Sequence, residues 1–315
     1  MAYRGLGDAT KAKEHLTKQG SVGVRVVDPL IDRLPELIMG ERLHLIRGRL
    51  ALDVKRYEEA AGEFRKAVAA NPKSVAARNS LGSVLTQTGD LREASAQFEE
   101  TLKLDPENTN AHFNLATLLA RENKRGEAIA HLQVVVRIDP NDLRAHYFLA
   151  QELLKSQRLD EALLEFSRVV QADPNNEEAL LNQVKLLVRT RQYKQALDQL
   201  EMGHAKYPQK GETALMLTYL LAASPQYDLR DGARALKLAQ LINQASPSIQ
   251  HAQLVAITLA ELGRCGEAAA WQRKLIAEAE QTKQMDLLDK LKAGLMRYEE
   301  VRSCRPVGEN APKSP

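Results

Sequence analysis

Five prolines, Pro72, Pro106, Pro140, Pro174 and Pro208, follow one another at intervals of 34 residues in this 315-residue chain. A fixed period of that length is the mark of a repeat architecture, in which one supersecondary unit is copied and stacked on its neighbour. Each proline closes a segment, because it cannot continue a helix and biases the residue before it away from the α region. Asp105, Asp139 and Asp173 precede the middle three prolines and are expected to cap the next helix start.

Two further columns keep this register. Twelve residues before each proline stands an alanine: Ala60, Ala94, Ala128, Ala162 and Ala196. Eight before it is a large apolar side chain (Phe64, Phe98, Leu132, Phe166, Leu200), and twenty-four before it a small or short one (Gly48, Gly82, Ala116, Ala150, Val184). Two antiparallel helices per unit explain the pattern, since small residues let the backbones approach and the Phe or Leu fills the seam. Aromatic residues make up 4% and charged residues 27% of the chain, and good helix formers dominate, so it reads as all-helical.

The columns resemble those of the tetratricopeptide repeat family, whose unit orders a small residue, an aromatic or leucine, an alanine, a large apolar residue and a closing proline. Tyr57, Leu91, Leu159 and Tyr193 fit its inter-helix packing position. The resemblance implies an all-α, right-handed α-solenoid of helix-turn-helix repeats with a C-terminal capping helix. Five regular repeats fill residues 41–210. An irregular repeat follows in 211–248, with a five-residue insertion because Ala235 lies 39 residues after Ala196. The last repeat spans 249–280 around Ala268 and Trp271. A capping helix in 281–303 carries Leu287, Leu288, Leu291, Leu295 and Met296 on its apolar side, and 304–315 is expected to be disordered.

At the front, Tyr3, Gly7, Asp8, Ala12 and Leu16 match the second half of a unit, giving a partial repeat in 1–20. A loop and a short helix opened by Asp28 and Pro29 occupy 21–40. The chain resembles the C-terminal part of larger bacterial tetratricopeptide proteins, notably at Arg230, Asp231 and Gly232 and in the closing segment 298–306.

Charge and motifs narrow the function. With 44 basic and 41 acidic residues the formal charge is +3, too balanced for an electrostatic nucleic-acid binder. The longest nearly apolar run, 214–223, is about half a bilayer span, so no membrane span is expected. Residues 1–20 lack the apolar stretch of a secretory signal, which makes a cytoplasmic setting the default expectation and a periplasmic one the alternative if a signal peptide lies upstream. Cys265 and Cys304, 39 residues apart and without ligand spacing, read as two ordinary thiols. No hydrolase, zincin or nucleotide-loop motif is present, so neither catalysis, nor a cofactor, nor a metal is expected. His44, His112 and His146 share one column and read as seam-packing residues.

The first helix of every unit in such a solenoid lines the concave side, where a protein or peptide partner would lie. Its non-core positions are Arg49 in repeat one and Asn79 and Ser83 in repeat two. Repeat three offers Asn110, Phe113, Asn114, Thr117 and Arg121, and repeat four Arg144, Tyr147, Phe148, Gln151 and Lys155. Repeat five adds Asn182, Lys185 and Arg189. Asn114 and Asn182 share a column with Ser80 and resemble the asparagine ladder of the O-linked N-acetylglucosamine transferase superhelix, which pairs with a peptide backbone. The cations outnumber Asp53 and Glu178 along this face, which favours an acidic or carboxylate-ended peptide. Of the chaperone carboxylate-clamp pattern only Asn114 and Arg144 match. The expected function is a noncatalytic scaffold, with the targeting arm of a larger enzyme, such as a glycosyltransferase, as the alternative.

Overall fold

The computed structural model describes residues 40–206, 208, 211–299 and 304. The partial repeat expected in 1–20, residues 21–39 of the loop and short helix expected in 21–40, residues 300–303 of the capping helix expected in 281–303, and residues 305–315 of the tail expected in 304–315 lie outside them. The described residues form fifteen α-helices, one 3-10 turn and no strand. The chain divides into two compact units, 1–118 and 119–315.

In the first unit, α1 (Glu41–Asp53), α2 (Tyr57–Ala70), α3 (Val75–Thr88) and α4 (Leu91–Leu104) pack each on the next, and α5 (Thr109–Arg121) begins. The small-residue column works here as a socket. Phe64 and Phe98 are wholly buried, and a Cβ added at Gly48 or Gly82 would sit 2.4 Å or 2.7 Å from the respective ring. Glycine is therefore needed because the ring of the second helix lies directly on the backbone of the first.

The second unit continues with α6 (Arg125–Ile138), α7 (Leu143–Lys155), α8 (Leu159–Ala172), α9 (Glu177–Arg189) and α10 (Tyr193–Lys206). After them come α11 (Gly211–Ala223), a 3-10 turn (Tyr227–Leu229), α12 (Gly232–Ala245), α13 (Ile249–Glu261), α14 (Cys265–Gln281) and α15 (Met285–Glu299). Its core is built from the same columns: Val184, Ala196, Leu200 and Leu217 share one cluster, and Ala239, Leu254, Leu259 and Ala268 another.

Both kinds of turn have a repeated chemistry. Between the helices of a pair, the first helix ends with a residue in the left-handed region: Lys55, Gly89, Asn123, Gln157 and Arg191, at the same 34-residue interval. Lys55 N–H donates to Leu52 O and Arg56 N–H to Ala51 O, the double bond of a Schellman motif that satisfies the helix's last carbonyls. Between pairs, the aspartates before proline do not cap the next helix as the sequence suggested. Asp139 and Asp173 instead accept from the backbone N–H two residues on, at 3.0 Å each. The cap is the residue two beyond the proline: Ser74, Asn108, Asp142 and Asn176 each accept the N–H three residues further on. Proline imposes the difference, since it shifts the helix start past the reach of the aspartate.

The histidine column joins helices by hydrogen bonds as well as packing. His146 Nε2 donates to Pro140 O at 3.0 Å while Nδ1 is bonded to Glu165 of α8 at 2.5 Å. His112 Nε2 donates to Pro106 O, and His44 Nδ1 is bonded to Glu63. Arg78 occupies the same column and makes the same two links, to Pro72 O and to Gln97.

The insertion before α12 is organised by Arg230. Its Nε donates to Ser224 O at 2.7 Å, its Nη1 to Glu261 at 2.8 Å, and its guanidinium lies 5.2 Å from the centre of the Tyr227 ring. Asp231 then caps α12.

At the C-terminal end two expectations are corrected. Met296 is 66% exposed, and Tyr298 takes its place in the core, because α15 turns its 288, 291, 298 face onto α14. Cys304, assigned to a disordered tail and read as an independent thiol, is 1% exposed and bonded to Cys265, with the two Cα atoms 5.6 Å apart. Residues 39 apart in sequence meet because α14 and α15 form an antiparallel pair whose exit returns to its entrance.

Candidate functional site

The first helices α1, α3 and the start of α5 carry the candidate face in the first unit. Arg49 and Asn110 are exposed, while Asn79, Ser83, Phe113, Asn114 and Thr117 are half-buried. Adjacent first helices tie this face together: Asn79 Nδ2 donates to Asn108 Oδ1 at 2.9 Å, and Asn114 Nδ2 reaches Ser83 Oγ at 3.5 Å. Thr117 Oγ1 turns back onto Phe113 O, one turn earlier in its own helix.

In the second unit the face comes from the end of α5, α7 and α9. Arg121, Arg144, Lys155, Lys185 and Arg189 are exposed, and Tyr147, Phe148, Gln151 and Asn182 half-buried. The Tyr147 hydroxyl is the hub. Asn182 Nδ2 donates to it at 3.1 Å, Glu178 and Gln151 are within hydrogen-bonding reach, and its ring meets Phe166 edge-on at 5.6 Å. Burial and then the Glu178 carboxylate push the phenol up to about 12, so it stays a neutral donor.

The asparagine column also makes bonds within the array. One amide donor of Asn114 and one of Asn182 point to Ser83 and Tyr147 on the neighbouring first helix. The repeat spacing places each asparagine opposite a polar group of the preceding repeat, and an intramolecular bond forms there. Sequence columns reveal which residues share a face, but the pairing between adjacent columns needs the helix-to-helix register.

Arg121, Lys155 and Arg189 share one column at successive first-helix C-termini, where the helix dipole favours a cation. Lys155 is bonded to the buried Glu152 at 2.6 Å and Arg189 to Gln157 at 2.5 Å. The Glu152 carboxylate, 1% exposed on α7, and Glu165, on the opposite helix, were not singled out by the sequence. Among the described residues no group of three His, Cys, Asp or Glu side chains is placed to hold a metal, and no helix is long and apolar enough to cross a membrane.

Helix pairs with a small-residue socket, a Schellman exit and a proline-bounded entry every 34 residues define a tetratricopeptide-type repeat protein. Tetratricopeptide repeat profiles match residues 47–94, 85–152 and 153–218, more than half of the chain, which therefore belongs to the tetratricopeptide repeat family. A search of curated proteins returns no match. Among solved structures, the chain is similar to pilF of Pseudomonas aeruginosa, with 19% identity, TM-score 0.52, and coverage of 67% of this chain and 94% of that one. A tetratricopeptide repeat protein from Parabacteroides merdae is similar at 17% identity and TM-score 0.51, over 80% of this chain and 98% of its own. MamA is similar at 16% identity and TM-score 0.50, over 55% of this chain and 94% of its own. At these identities the likeness is one of fold. The repeat family is one of protein-interaction modules, and the chain is a scaffold of that general kind.

Proposed function

We propose that the first-helix face binds an acidic segment of a partner protein, without catalysis. The observation that carries this reading is electrostatic. In the second unit Arg121, Arg144, Lys155, Lys185 and Arg189 are all exposed along the first-helix positions, with Lys155 paired to Glu152 and Arg144 3.8 Å from Asp142, and the Glu178 carboxylate among them is engaged by Tyr147. Exposed cations attract an anionic strand over a Debye length of about 8 Å at physiological salt, and guanidinium groups pair bidentately with carboxylates. The ring of Phe148, half-buried among them, supplies apolar contact area.

Binding of fluorescent peptides with graded acidic content, measured by anisotropy, tests the assignment. Replacing Arg121, Arg144 and Lys185 together by alanine should lower the affinity for acidic peptides by about tenfold or more, from roughly 0.5–1 kcal/mol per screened contact. Helix content and melting should not change. Equal affinity of the variant and the parent protein would refute this assignment.

A further inference from the structure

We infer that Cys265 and Cys304 form an oxidation site that fastens the C-terminal end of the array, so that the chain matures in contact with a disulfide donor. They are the chain's only two cysteines. Cys265 is the first residue of α14, partly exposed, and Cys304 follows α15 with 1% exposure, packed in the cluster of Leu254, Val255, Leu259, Ala268 and Tyr298. The two Cα atoms lie 5.6 Å apart, within the span of a disulfide. The closed loop contains α14 and α15, and the bond ties residue 304 to the start of α14 beside α13.

The reaction is thiol–disulfide exchange. A thiolate of one cysteine attacks a donor disulfide, forming a mixed disulfide and releasing one donor thiol. The second cysteine then attacks the bonded sulfur, forming the Cys265–Cys304 bond and releasing the other donor thiol. The two cysteine thiols lose two electrons and two protons, and the donor disulfide gains them.

Burial makes the bond one-way under native conditions. An attacking reductant reaches the more exposed of the two residues, Cys265, and must then expel Cys304 as a thiolate into an apolar cluster, which disfavours charge. Attack on Cys304 is sterically closed. A bond so shielded is a structural fastening rather than a readily cycled switch, and such bonds belong to oxidising compartments. The site therefore favours the periplasmic-type setting over the cytoplasmic default.

The full-length chain, equilibrated with oxidised glutathione, unfolded in guanidinium and alkylated without reduction, should yield the Cys265 and Cys304 peptides linked and no alkylated cysteine. Two alkylated cysteines would overturn the proposal. Reduction by dithiothreitol should be on the order of a hundredfold slower in buffer than in guanidinium, because it awaits local opening. Equal rates would overturn the shielding. The variants C265A and C265A/C304A should melt at the same lowered temperature as the reduced parent chain. A C265A variant that melts like the oxidised parent would show that buried Cys304 packs without need of the bond. Should either variant fail to fold, the alkylation result on the parent chain decides.

Discussion

Replacing Arg230 by methionine removes a cation whose side chain is almost wholly buried while keeping much of its aliphatic volume. Its side chain is 2% exposed and that of its partner Glu261 6%, with 2.8 Å between Nη1 and Oε2. At an effective dielectric constant of about 20 a charge pair near 4 Å is worth about 4 kcal/mol, and removal of one partner from a buried pair typically costs about 3–5 kcal/mol because the other charge is stranded. The Ser224 carbonyl also loses its donor, so the insertion loses both of its anchors. The upper half of that range is therefore expected. Neutralising both partners, as in R230M/E261L, should recover most of the loss, because neither charge is then left stranded.

The assay must resolve one region, because repeat arrays depart from two-state unfolding. Native-state hydrogen exchange in α12 and α13 should show protection falling by about three orders of magnitude or slightly more in R230M, at about 1.4 kcal/mol per tenfold. Amides of α1–α4, in the other unit, should be unchanged. A loss below about 1 kcal/mol, or a double variant no more stable than R230M, would refute the view that the pair holds the insertion.

Other perturbations probe the remaining devices. G82A puts a Cβ 2.7 Å from the Phe98 ring and should destabilise the first unit by about 1–3 kcal/mol in denaturant titrations, with partial rescue by F98L. K55G, at a left-handed position with φ of 57°, should stabilise the first unit by up to about 1 kcal/mol, since glycine adopts that conformation without a Cβ penalty. Hydrogen bonds from His44 and then Lys66 hold the Glu63 carboxyl below its ordinary range, so its contribution is complete above the unfolded-state value and is lost as pH falls through the folded one. The stability gap between the parent chain and E63Q should therefore be present at pH 7 and close on acidification below about pH 4, as followed by thermal melts across pH. Oxidised and reduced chains should differ by about 4 kcal/mol in the C-terminal region, the chain-entropy value for a loop of this length, whose ends are 39 residues apart.

Much of the fold is legible because the repeat fixes one environment five times. Gly48 and Gly82 align with Ala116 and Ala150, and Phe64 and Phe98 with Phe166, so their periodicity alone identifies the socket and the ring that fills it. The turn between pairs departs from the sequence expectation for a reason of geometry. Asp139 and Asn141 are both polar and flank the same proline, and only the helix start beyond it shows that Asp142 is the cap. Features that occur once leave no column to read. Arg230 and Glu261 meet across an insertion, and Cys265 and Cys304 across a helical hairpin, so neither pair has a periodic partner that would mark it.

The same distinction governs the candidate face. Periodicity places Asn114, Arg144 and Asn182 on first helices, yet their availability depends on contacts between successive repeats, and these differ from one repeat to the next. Asn182 finds a tyrosine hydroxyl, Asn114 a serine at the edge of hydrogen-bonding distance, and the repeat-four position holds Phe148. On the proposed reading of an acidic partner segment, a tyrosine that takes up the asparagine donor would remove sequence-independent grip on a peptide backbone and leave more of the selectivity to the exposed cations around it. Y147F should accordingly release the Asn182 amide and raise affinity for uncharged peptides relative to acidic ones, a ratio that the anisotropy assay reads directly. An unchanged ratio would mean that Asn182 is not a contact in the bound state.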